Sequence, residues 1–245
     1  MGLGIYGAHL TLGFFGIDKK PTVVAARFDW LKGRMMKVMA DNPLSFSDAK
    51  HQIRQRLLAE RDALSPDWRA AASCRLLDYI EVFGDVRGKI ISSFWPIRSE
   101  IDPRPLVHAL QAQGAQLALP AALDRETIVF RAFDKADRLI EERYGTKAPH
   151  ESMPVLDPDI MIVPLAAFDA AGGRVGYGGG YYDRAIARLI AKGRPPLTIG
   201  LAFGLQQVAN LPQEKTDMRL NRIVTPDGVI DPTLQPALAP NKNGN

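Results

Sequence analysis

Cysteine is almost absent: Cys74 is the single one in 245 residues. One thiol excludes an internal disulfide framework and a cysteine-built zinc site, and it fits a reducing, cytoplasmic compartment. Histidine is scarce too. The four histidines are scattered, with no His-x-x-x-His or His/carboxylate spacing that would mark a metal centre, and no Ser/His/Asp triad stands out. Long apolar runs are missing as well. Gly2 to Ile17 carries no Lys, Arg, Asp or Glu, but it is short for a bilayer span and has no basic residue ahead of it, so neither a membrane anchor nor a signal peptide is expected. Strong charge of either sign is lacking: 31 Lys and Arg against 27 Asp and Glu give a formal +4, which suits anionic ligands and is too mild to predict nucleic acid.

Lys19, Lys20, Arg27, Lys32, Arg34 and Lys37 follow the apolar start, with Asp18 and Asp29 among them and no serine. An organellar leader is one reading. The favoured one is a poorly ordered extension over 1–46, translated from an upstream start with Met36 or Met39 as the functional one. Residues 47–231 then form one α/β domain, and 232–245, with its prolines, Asn and Gly, a frayed tail.

What is present is concentrated in Arg174-Val175-Gly176-Tyr177-Gly178-Gly179-Gly180-Tyr181-Tyr182-Asp183-Arg184. It follows the apolar run Asp159–Val163, whose lack of alternation suits a central strand buried on both faces. It leads into Ala185–Ile190, where apolar residues recur at helical spacing. Strand, glycine loop and helix start together make an anion site, because glycine lets backbone N–H groups approach a ligand and the first helical turn offers unpaired ones. A polyphosphate fits there, and Asp183 could share a magnesium ion with its oxygens.

The rest reads as alternating elements. Ser47 is expected to cap a helix running toward Leu64, with Lys50 and Arg54 four apart on one face, either as a solvated stripe or as phosphate contacts. Ser65-Pro66 restarts a helix with Trp68, Ala72, Leu76, Tyr79 and Ile80 as its apolar face and Cys74 as a packing residue on it. Strands are expected at Lys89–Trp95, Gln116–Pro120, Thr127–Phe133, Asp159–Val163, Leu197–Phe203 and Ile223–Thr225, with a helix after Asp102-Pro103 stopping at Gly114. Asp134–Pro158 reads as a long surface loop containing His150. The pattern implies a layered α/β sheet with right-handed crossovers.

The loop is not a P-loop, since Gly180 is followed by Tyr181-Tyr182 rather than Lys-Ser or Lys-Thr. A dinucleotide fingerprint has different glycine spacing and an early position in the chain. Arg174–Arg184 does resemble the signature of the 5-formyltetrahydrofolate cyclo-ligases, or 5,10-methenyltetrahydrofolate synthetases. The basic helix with Lys50 and Arg54, the segment Phe94–Ile101, the lead-in Val163–Asp169, and Leu211-Pro212 before Asp217 and Ile223-Val224-Thr225 follow in that family's order, from about Lys50 to Gly228.

The resemblance implies an α/β fold, a three-layer αβα sandwich around a mainly parallel sheet with an N-terminal helical segment. It implies ATP-dependent cyclisation of 5-formyltetrahydrofolate with ATP and Mg2+, by a cytoplasmic monomer without nucleic-acid or membrane partners. Lys50, Arg54, Arg174 and the N–H groups of Gly176, Tyr177, Gly178, Gly179, Gly180, Tyr181 and Tyr182 would hold the nucleotide. Asp183 and Asp217 would ligate magnesium. Trp95 and Glu100 would line the folate site, with Tyr177 and Tyr181 where folate and nucleotide meet, and Arg174, Tyr181 and Asp183 would act in catalysis.

The chain departs from the family pattern where Tyr144–Pro149 replaces a Gly-Ile-x-Glu-Pro segment, at Thr216 in place of a histidine, and at Asn221 in place of an aspartate. A non-cyclising paralogue with another substrate is therefore the alternative, and an RNA- or nucleotide-binding module a more distant one.

Overall fold

The computed structural model describes residues 45–134, 138–142 and 145–234. The expectations for 1–44, for Tyr144 and for 235–245 lie outside these residues, and Pro232–Leu234 form a short 3-10 turn.

Helix α1 spans Phe46–Asp62. Its cap is Ser45, whose hydroxyl accepts from the Asp48 N–H, rather than Ser47, which lies inside the helix. One face carries Lys50, Leu57 and Arg61, all buried, at the three-to-four spacing of a single helical stripe. Helix α2 (Pro66–Cys74) starts as expected, with the Ser65 hydroxyl accepting from Trp68 N–H and Pro66 in the first turn. It then tightens into a 3-10 segment over Arg75–Phe83. Cys74 is exposed, not packed. It stands two residues from both buried Ala72 and buried Leu76, which places it on the opposite side of the turn.

The strands are β1 (Ile90–Ser92), β2 (Gln116–Ala122), β3 (Ile128–Phe133), β4 (Ile140–Glu141), β5 (Lys147–Ala148), β6 (Val155–Leu156), β7 (Ile160–Pro164), β8 (Ala167–Phe168), β9 (Arg174–Val175), β10 (Leu197–Leu201), β11 (Arg222–Thr225) and β12 (Gly228–Ile230). Helix α3 (Arg104–Ala112) separates β1 from β2, and α4 (Tyr181–Ala191) separates β9 from β10. The main sheet runs β12-β11-β10-β7-β1-β2-β3-β6. Its five central strands are parallel, and β12, β3 and β6 are added antiparallel at the margins.

β7 lies between β10 and β1, and each of its first four residues is at most 1% exposed. Ile160 and Ile162 pack with Leu76, Leu106 and Leu110 in one core. Met161 and Val163 pack with Ala185, Ile186 and Leu189 in the other. Helices thus cover both faces, giving the expected αβα sandwich. A third cluster of Leu57, Ala167, Val175 and Leu211 seats α1 on the β8–β9 hairpin.

Three expectations shift. β1 has three residues rather than seven, because the chain after it closes a turn in which Glu100 accepts from the Ile97 N–H and Arg98 takes φ +52°. The stretch read as a loop carries β4, β5 and β6, and β6 extends the main sheet. β10 ends at Leu201, where the Gln206 side chain takes over by accepting from Phe203 N–H and donating to the Leu165 and Ala166 carbonyls. Among the described residues no helix is long and apolar enough to cross a membrane.

Candidate functional site

Trp95 and Glu100 follow β1, the β8–β9 hairpin and glycine loop follow β7, and Gln206 follows β10. The site residues therefore gather outside the carboxyl ends of the parallel strands, where open α/β sheets bind ligands.

The loop's approach is built by Asp169, which is 5% exposed. One carboxylate oxygen accepts from the Ala171 and Gly173 N–H groups at 3.0 and 2.8 Å, the other from Leu211 N–H at 3.0 Å. A Cβ on Gly173 would stand 2.9 Å from both of those oxygens and 2.5 Å from the Gln213 amide nitrogen, so only glycine fits the turn. Beyond β9, Gly178 and Gly180 have φ of +101° and +64°, and Gly180 caps α4. Arg184 clasps the loop, donating to the Gly179 carbonyl at 2.7 Å and the Glu126 carbonyl at 2.6 Å, and lies over the Tyr181 ring.

Basic side chains converge on this loop. Arg174 is buried and donates from Nη2 to Asp183 Oδ1 at 2.8 Å, while its Nε is buried with no hydrogen-bond partner. Arg54 Nε donates to the Gly176 carbonyl at 2.7 Å, which lays the guanidinium beside Gly178. Lys50 is no solvated stripe. Its ammonium reaches Asp217 at 2.5 Å and Glu214 at 2.8 Å. Burial opposes its charge, but the hydrogen bonds it donates to the Asp217 and Glu214 carboxylates outweigh it and raise the lysine above its ordinary value.

Across the site, Glu100 is driven above the ordinary carboxylate value by burial, against the opposing bonds from Ile97 N–H and Tyr177 and the charge of Arg61. The Tyr177 hydroxyl is also raised, first by burial and then by the Glu100 charge. Phe94, Ile101, Pro164, Leu165, Leu201 and Gln206 close around Arg61 and Glu100, leaving no space for a water molecule between them. Half-buried Trp95 has the Arg104 guanidinium and Lys147 ammonium at 5.0 and 5.5 Å from its ring. Tyr182 packs its ring against Phe130 in the core at 6.5 Å, so it supports the loop from behind.

Asp183 spends Oδ1 on Arg174 and the Met218 N–H, and Asp217 spends Oδ2 on Lys50 and the Glu214 N–H. Asp183 Oδ2 and Asp217 Oδ1 make none of these bonds. No group of three or more His, Cys, Asp or Glu forms a metal cage among the described residues. The donor set suits a magnesium ion that arrives with a nucleotide, which commonly keeps waters and takes one or two carboxylates besides phosphate oxygens. Asn221, in place of the family's aspartate, bridges strands: its amide oxygen accepts from the Thr198 N–H and hydroxyl, both at 2.8 Å.

The sequence reading missed Arg61, Glu214 and the roles of Asp169 and Gln206. Arg61 had a signal: seven residues after Arg54, it returns to the same helical face. Glu214 had none, because its pairing with Lys50 spans 164 residues.

The model of the 5-formyltetrahydrofolate cyclo-ligase family matches residues 46–226. The 5-formyltetrahydrofolate cyclo-ligase of Escherichia coli (strain K12) is 30% identical over 187 residues, covering 72% of this chain and 98% of that protein. The Mus musculus enzyme of the same name is 22% identical over 196 residues, covering 75% and 97%. The NMR structure of Aquifex aeolicus 5,10-methenyltetrahydrofolate synthetase matches with a TM-score of 0.62 at 25% identity, over 80% of this chain and 99% of that one. The Mycoplasma pneumoniae 5,10-methenyltetrahydrofolate synthetase shares the fold at a TM-score of 0.58 and 21% identity, over 72% and 98%. The chain belongs to the 5-formyltetrahydrofolate cyclo-ligase family.

Proposed function

We propose that the protein converts 5-formyltetrahydrofolate and ATP to 5,10-methenyltetrahydrofolate, ADP and phosphate, as a cytoplasmic monomer without nucleic-acid partners. The observation that carries this reading is that Arg54 and Arg174 hold the glycine loop and its helix start while Lys50 sits on Asp217, whose neighbour Met218 bonds to the same Asp183, with the buried Nε of Arg174 left unpaired. An unpaired buried donor on a cation is costly unless a water or a ligand oxygen engages it.

A formamide is a poor electrophile, so its oxygen must become a leaving group before the neighbouring nitrogen can close the ring. In the proposed path the formyl oxygen attacks the γ-phosphate and ADP leaves. N10 then adds to the activated carbon and loses its proton, and phosphate departs with the former formyl oxygen, carrying that proton as hydrogen phosphate. Such phosphoryl transfer asks a protein mainly for positioning and charge neutralisation. Lys50 has three N–H donors and uses two on carboxylates, which leaves one for a phosphate oxygen. Arg54 holds the loop by Nε and keeps its outer guanidinium nitrogens for the nucleotide. Magnesium, with Asp183 and Asp217 as its protein ligands, would supply charge neutralisation at the phosphates. Trp95 and Glu100 would receive the pterin, the carboxylate accepting from its N–H groups.

The test is to mix the protein with ATP, Mg2+ and 5-formyltetrahydrofolate and follow methenyl absorbance together with ADP. Product without ATP, or none at enzyme-level concentration, refutes the reading. The second result favours the non-cyclising paralogue.

A further inference from the structure

Arg61 is 1% exposed and belongs to no step above. A buried arginine is stable only with its N–H groups engaged, and the partners here come from the two halves of the site. Nε donates to the Ser99 hydroxyl at 3.0 Å, in the turn that carries Glu100. Nη2 donates to the Tyr177 hydroxyl at 2.8 Å, in the glycine loop. Ser99 is fixed in turn by a hydrogen bond to Asp62. Tyr177, having accepted from Arg61, also lies near enough to Glu100 for the carboxylate charge to act on its hydroxyl.

Tyr177 is otherwise an outlying residue, 39% exposed and followed by the exposed glycines 178 and 179. Nothing local holds its ring inward. Its hydroxyl is kept beside Glu100 by a guanidinium whose rigid fork spans both segments, a geometry that a lysine cannot reproduce.

We propose that Arg61 is a positioning residue that ties the glycine loop, through the Tyr177 hydroxyl, to the turn that carries Glu100, through the Ser99 hydroxyl, so that nucleotide binding and folate binding are coupled. A nucleotide that seats the loop keeps Tyr177 on Arg61, and through Arg61 holds the turn that carries Glu100. The carboxylate is thereby oriented for the pterin, with lone pairs to spare. By linkage, folate favours the nucleotide by the same factor. The inference rests on the reading that Glu100 takes folate and the loop takes ATP.

The experiment is calorimetric titration of the full chain with 5-formyltetrahydrofolate, with and without a saturating non-hydrolysable ATP analogue and magnesium. It is done for the wild type, Tyr177→Phe and Arg61→Met. The wild type is expected to bind folate about fivefold tighter or more with the analogue present, the lower end of usual couplings. Both variants should bring that ratio to about one while still binding each ligand. Tyr177→Phe keeps the ring and removes only the hydroxyl, so it decides the matter even if Arg61→Met fails to fold. A role in scaffolding alone would lower the melting temperature and leave the ratio unchanged, which overturns the proposal. So does a wild-type ratio of one when both ligands bind. A wild type that binds neither ligand refutes the functional reading itself, and the inference with it.

Discussion

Replacing Lys50 with Met keeps most of the aliphatic stem and removes the ammonium. One charge-assisted hydrogen bond to a phosphate is worth about 1.5–3 kcal/mol, and each 1.4 kcal/mol or so is tenfold in affinity. The KM for ATP should therefore rise about 10- to 100-fold, while that for 5-formyltetrahydrofolate moves less than about threefold. Stability falls too, since Asp217 and Glu214 lose their shared cation. Their side chains are 18% and 46% exposed. The loss is therefore about 1–2 kcal/mol, below the roughly 3–5 kcal/mol of a fully buried pair. For a domain of this size that is about 2–8 °C in Tm.

The pH dependence adds a check. The folded-state value of Lys50 lies above the ordinary 10.5, so its stabilisation is complete below that pH and is lost only as pH climbs through the folded value. The Tm gap between wild type and variant should stay constant through neutral pH and narrow only above about 10.5. Steady-state kinetics with each substrate varied, plus melting curves, give all these quantities. An unchanged KM for ATP, or a larger effect on folate, would refute the phosphate role of Lys50.

Glu100→Gln tests the half-buried carboxyl of the turn after β1. The folded value of Glu100 is raised by burial, so ionisation opposes folding. The wild type should lose stability relative to the variant as pH rises from about 4.5 through the raised value, and a Tm difference flat with pH would contradict it. Asp183→Asn keeps an acceptor for the Met218 N–H but leaves buried Arg174 without its carboxylate. The fold should survive at a cost of about 2 kcal/mol, and half-maximal turnover should need severalfold more Mg2+. Unchanged magnesium dependence removes Asp183 from the metal site.

Periodic and capped features were legible in the sequence. β7 was readable because four consecutive apolar residues suit a central strand buried on both faces. The start of α2 was readable because Ser65-Pro66 satisfies a helix N-terminus in only one way. The glycine loop was readable because its density of glycine has few other uses. Local reading failed where partners are distant in the chain. Lys50 alone looks like a surface lysine until Glu214 and Asp217 arrive from more than 160 residues away. Nothing local announces that Glu100 is enclosed by Arg61 and Tyr177. Cys74 was misplaced for a simpler reason: two residues along a helix is a half turn, so it could not share the face of Ala72 and Leu76.

The central claim is that Lys50, Arg54, Arg174 and the glycine loop serve ATP-driven closure of a formylated folate. It is tested most directly by product stoichiometry with the purified wild-type chain. The account predicts one ADP and one phosphate for each 5,10-methenyltetrahydrofolate formed, with no product when ATP is withheld. Methenyl formation that is independent of ATP, or ATP hydrolysis without ring closure, would contradict it.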